Sequence, residues 1–131
     1  MSLPSKDICD LLESESSLGL VLGQNLFIGF EPDSPANCTT IYDTPGFKPE
    51  TELEKGRDIY KPSIQVKVRN NSYVTAGALI NQIKDELHNI TNQTVNGSRY
   101  IHIQCSQEPF SLGRDVNGKS QWVCNFDLMR T

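Results

Sequence analysis

"PSIQVKVRNNSYVTAGALINQIKDELHNI", Pro62 to Ile90, changes its hydrophobic period once, and that change decides the fold. In its first part Ile64, Val66 and Val68 alternate with Gln65, Lys67 and Arg69. A period of two is what a strand shows when one face of its sheet is covered. In its second part Tyr73, Ala76, Ile80, Ile83, Leu87 and Ile90 recur at steps of three and four. Those residues share one side of a helix, while Gln82, Lys84, Asp85 and Asn89 take the other. Ser72 stands where a helix N-cap hydroxyl is needed. Gly77 costs ~1 kcal/mol relative to Ala inside a helix, a loss that makes sense where the helix must approach a sheet closely.

Upstream, a first helix is expected to start near Pro4-Ser5, where a hydroxyl can cap free amides and Asp7 suits the positive end of the dipole. Ile8, Leu11, Leu12 and Leu18 form its short apolar stripe. "NLFIGF" (Asn25 to Phe30) and "CTTIYDT" (Cys38 to Thr44) read as strands around the turn-rich "EPDSPAN". Pro45 to Gly56 is polar and broken by Pro45, Gly46 and Pro49, which predicts an exposed loop suited to partner contacts. Downstream, "YIHIQCS" directs Ile101, Ile103 and Cys105 inward, and "QWVCNFDLM" directs Trp122, Cys124, Phe126 and Leu128 inward. The expected order is α-β-β-β-α-β-β: an α+β fold, a mostly antiparallel sheet packed on one face by two helices. Ile80, Ile83, Leu87, Trp122 and Phe126 are its candidate core.

The length of 131 residues suits one domain, and 37% apolar with 21% charged residues suits an ordinary globular chain. A net charge of -4 disfavours non-specific nucleic-acid binding and acidic lipid surfaces. The longest apolar run, Leu18 to Gly23, is far short of the ~20 residues that span a bilayer, so no membrane association is expected. Without a basic stretch and apolar core at the N-terminus, no signal peptide is expected. An intracellular site follows, and the N-x-S/T triplets at Asn37, Asn70, Asn89, Asn92 and Asn96 then read as polar surface. Cys9, Cys38, Cys105 and Cys124 form no C-x-x-C pair and read as reduced thiols. His88 and His102 read as surface or half-buried polar residues, and "DVNG" (Asp115 to Gly118) as a tight turn rather than a calcium loop. No catalytic group, metal or cofactor is expected.

One enzymatic constellation competes. Nucleases of the PD-(D/E)xK type share much of this element order and bind magnesium through carboxylates beside a lysine. Here Pro32-Asp33 precedes the second strand, and Gln65 to Lys67 lies on the third. Asp33 would ligate the metal and Lys67 would orient water. Against this, Gln65 and Lys67 sit on the polar face of an alternating strand, and one strong carboxylate underbinds magnesium.

The second half carries a resemblance. A strand "PSIQVKVR", the helix after it, the Glu108-Pro109 segment, the "GRDVNGK" turn (Gly113 to Lys119) and a final strand around Asn125-Phe126 occur in that order. Together, from about Gly56 to Arg130, they resemble the small phage minor capsid proteins grouped with the tail terminators of long-tailed bacteriophages. The resemblance implies a non-enzymatic virion protein without cofactor. It implies a ring, typically hexameric, that caps the head-proximal end of the tail tube, meets a head-completion or connector protein, and lets DNA pass without specific binding. It also implies assembly in the bacterial cytoplasm and residence in the virion. Within that picture Lys67 and Arg69 would pair with acids such as Glu50, Glu52 and Glu54 between neighbours. Arg114, Asp115 and Lys119 would be held out by a hairpin turn as an interaction surface.

Overall fold

The computed structural model describes residues 2–50 and 58–131. Its elements are α1 (Pro4–Ser14), β1 (Leu26–Ile28), β2 (Cys38–Glu50), β3 (Ile59–Asn70), α2 (Tyr73–Leu87), β4 (Ile90–Val95), β5 (Ser98–Cys105), β6 (Phe110–Arg114) and β7 (Ser120–Arg130). A 3₁₀ turn, Ser16–Leu18, follows α1. The strands form one curled sheet in the order β1-β2-β3-β7-β5-β4, with β6 also paired to β7. Every pairing is antiparallel except that of β1 with β2. The α+β class and the mostly antiparallel sheet agree with expectation. The order does not: β4 and β6 are additional strands.

The period change at Asn70 appears as anticipated. Ile64, Val66 and Val68 are buried and lie beside Phe126, Cys124 and Trp122 of β7. Over that face α2 brings Ala76, Ile80, Ile83 and Leu87, and α1 brings Ile8, Cys9 and Leu12, into one core cluster. The Ser72 hydroxyl accepts the Thr75 amide at 3.3 Å, so the N-cap is where the sequence puts it. The helix ends at Leu87 rather than running on, and Ile90 opens β4. At Gly77 a Cβ would stand 3.2 Å from the Trp122 ring, which is the close approach that the glycine serves.

At α1 the N-cap is Leu3 and no side chain of the helix caps it. The carboxylate of Asp43 on β2 does so from across the core, accepting the Ser5 amide at 3.1 Å and the Ser5 hydroxyl at 2.7 Å. Ser5 is therefore the capped residue, not the cap. Asp43→Ala should lower stability by about 1 kcal/mol in a denaturant titration, the usual worth of an N-terminal cap.

Two further expectations need correction. The segment expected as a loop from Pro45 continues β2 as far as Glu50, paired to β3 through register shifts on both sides of Phe47. Those irregularities absorb Pro45, Gly46 and Pro49, and β1 pairs with β2 only at Thr39 to Ile41, so among the described residues no further strand calls for the amides that proline lacks. Residues 51–56, with Glu52 and Glu54, lie outside the described residues. On β5 an irregularity between Tyr100 and His102 moves the inward set to Tyr100 and Ile103, leaving Ile101 half-buried. On β7, Phe126 is fully buried and Trp122 packs against the core as expected, half-buried with its ring 5.1 Å from that of Tyr73.

Candidate interaction surface

Strands β5 and β6 lie end to end along one side of β7: Cys105 faces Phe126, and Phe110 faces Val123. The chain leaves the sheet only at 106–109, then turns back through Arg114 to Ser120. The Asp115 carboxylate organises that turn, accepting the amides of Asn117 and Lys119 at 2.9 Å each. Those bonds, that of Lys119 foremost, hold its carboxyl below the ordinary carboxylate range. Asp115 is half-buried, and its carboxylate is engaged in holding the turn. Arg114 is exposed, Val116 is fully exposed, and Lys119 is half-buried with its ammonium on Asn71, just before α2.

Lys67 and Arg69 are placed differently from expectation. Arg69 is only 6% exposed. Its Nε donates to the Ala36 carbonyl at 2.9 Å, Nη1 to Glu31 at 2.9 Å, and Nη2 to the carbonyls of Pro32 at 2.5 Å and Pro35 at 2.8 Å. Lys67 reaches the other Glu31 oxygen at 3.4 Å. Both cations are engaged by the 31–36 loop of their own chain, and Glu50 pairs with Lys61 at 2.5 Å. The intersubunit ladder expected of Lys67 and Arg69 is therefore corrected to an internal clamp. Here also lie the residues of the nuclease constellation. Glu31, not Asp33, meets Lys67; Asp33 is exposed, and Gln65 bonds Asn125 at 3.0 Å. Among the described residues no group of three His, Cys, Asp or Glu gathers in metal-binding geometry.

Three features escaped the sequence. Asp7, 0% exposed, gathers four partners. They are the Ser2 hydroxyl at 2.7 Å, Asn96 Nδ2 at 2.8 Å, the Tyr100 hydroxyl at 2.5 Å and Arg130 Nη1 at 3.4 Å. The sequence offered no local signal for it, because its members are up to 128 residues apart. Secondly, Cys105 and Cys124, distant in sequence, bring their Sγ atoms to 3.2 Å. Thirdly, a groove of about 240 Å³ opens between α1, the end of α2 and β4, lined by Leu11, Glu15, Glu86, Leu87 and Ile90 among others. The histidines take structural places: His88 caps α2 and accepts the Cys105 amide at 2.9 Å, and His102 lines a shallow surface depression with Phe47 and Asp127.

The family model for bacteriophage tail terminator proteins matches residues 6–131. The chain belongs to that family. A tail terminator of this topology also has a counterpart among solved structures, a chain from the virion of a native gene transfer agent (GTA) particle. The two share 12% identity at a TM-score of 0.68, over 97% of this chain and 93% of that one, a likeness of fold. No curated protein matches the sequence. No helix of the described tail terminator residues is long and apolar enough to cross a membrane.

Proposed function

We propose that this tail terminator is a non-enzymatic building block that forms a ring, six copies in the virion, on the head-proximal end of the tail tube. One face would meet the tail-tube protein and the other a head-completion or connector protein, with DNA passing through unbound. The observation that carries the reading is the β6–β7 turn, which presents Arg114, Val116 and Lys119 on a scaffold fixed by Asp115. A rigid, charged projection without a converging catalytic set serves contact better than chemistry. An acidic chain, net charge -4, surrounds DNA without gripping it.

Charge reversal at Arg114 and Lys119 tests this, because neither side chain supports the core. The doubly reversed protein should keep its melting temperature and yet fail to complement a phage lacking the gene, leaving unjoined heads and tails in electron micrographs. Normal particle yield from that variant would remove the reading.

A further inference from the structure

Cys105 and Cys124 are 19 positions apart in sequence, on neighbouring strands, with their Sγ atoms 3.2 Å from each other. Cys105 ends β5 and lies beside Phe126, and Cys124 is two residues from Phe126 on the same face of β7. More than proximity joins them. The Cys105 thiol donates to the Gln107 carbonyl, and Cys124 Sγ lies 3.8 Å from the same oxygen, so one acceptor draws both sulfurs to one side. The two differ in access. Cys9, Cys38 and Cys124 are buried, which leaves half-buried Cys105 as the thiol that a small solute can reach. Burial, foremost, and the Cys105 sulfur push the Cys124 thiol well above its ordinary range, so it is the poorer first nucleophile.

We propose that Cys105 and Cys124 are a redox modification site, which a hydroperoxide converts into an intramolecular disulfide between the end of β5 and β7. The Cys105 sulfur attacks the peroxide O–O bond, becomes a sulfenic acid and releases water. The Cys124 sulfur then attacks the sulfenic sulfur. The S–S bond forms as the S–O bond breaks, and the hydroxyl leaves with the Cys124 proton as a second water. Each sulfur gives up one electron, and the peroxide takes both. The sulfurs need to close by only about 1 Å to reach disulfide length. The bridge would enclose β6 and the β6–β7 turn in one covalent loop, fixing the base of the projection that carries Arg114 and Val116. A reducing thiol pool keeps such a pair open and an oxidising exterior closes it. The inference stands on the two sulfurs and needs no ring.

The test exposes the purified protein to a modest excess of hydrogen peroxide, blocks the remaining thiols in denaturant and maps the peptides without reduction. The expected product is a monomer lighter by two hydrogens, with the peptide holding Cys105 joined to the one holding Cys124. Dithiothreitol should restore the starting mass. The bridged protein should melt about 5–10 °C above the reduced one, as a loop of this size closed without strain would. Cys105→Ser should fold, melt like the reduced protein and lose the shift, whereas Cys38→Ala keeps the pair and should still bridge. Oxidation that stops at a Cys105 sulfinate, a bridge to Cys9 or Cys38, or bridges only between molecules would overturn the pair. A correct bridge that leaves the melting temperature unmoved would overturn its hold on the projection.

Discussion

Replacing Arg69 with alanine is expected to cost about 3–5 kcal/mol, the range for breaking a buried ion pair by removing one partner. The loss has two sources. Glu31, whose side chain is 13% exposed, keeps its charge but loses its nearest cation, and Lys67 at 3.4 Å is a weaker substitute. The carbonyls of Pro32, Pro35 and Ala36 lose the donors that turn their loop back onto β3. Arg69→Lys should rescue little, since one ammonium cannot reproduce a planar fork that bonds in four directions. A melting curve should fall by roughly 10–20 °C for either variant in a chain of this size. A drop within a degree or two would show that the 31–36 loop is held by something else.

Asp7→Ala should be comparably damaging, again about 3–5 kcal/mol. The substitution leaves Arg130, 7% exposed, charged and without its carboxylate, and arginine cannot discharge itself by losing a proton. It also strips the acceptor from the Tyr100 hydroxyl, which burial, foremost, and Asp7 together keep protonated above its ordinary range. Helix α1 loses the acid in its first turn as well. Pairing Asp7→Leu with Arg130→Met should recover most of the stability, because replacing both charges by apolar groups of similar size removes the desolvation penalty along with the attraction. Failure of the pair to improve on Asp7→Ala in urea unfolding would mean that the network also stabilises through Ser2 and Asn96.

Much of the fold was legible because two signals are local. The period change at Asn70 and the alternation of β7 depend on neighbouring residues and on burial of one face, and both survive in the structure. What was missed depends on local exceptions or on distant partners. β4 hid because only polar residues lie between Ile90 and Val95, so no apolar alternation shows. Asn96-Gly97, with φ of 50° and 82°, joins Val95 to Ser98 as a two-residue hairpin turn, but the strand before it lacks the apolar alternation that would make the pair stand out. β6 is five residues with an irregularity before Gly113, too short for a period to show. The burial of Arg69 could not be read from β3, where alternation assigns it to solvent; the 31–36 loop that covers it arrives from another part of the chain. The hairpin turn was visible as Asn117-Gly118 among charges, whereas the groove between α1, α2 and β4 is assembled from three separate elements.

The left-handed asparagines in and beside β4 have a consequence for storage and handling. That strand lies at one border of the sheet, with most of its residues open to water. A flat border of free amides and carbonyls invites stray strands from other molecules and seeds fibrils. Asn89, Asn92 and Asn96 contort this border, and at the opposite border β1 is just three residues long. A tail terminator with both margins spoiled in this way should remain clear at high concentration, free to await the correct neighbour instead of gelling with every copy it meets.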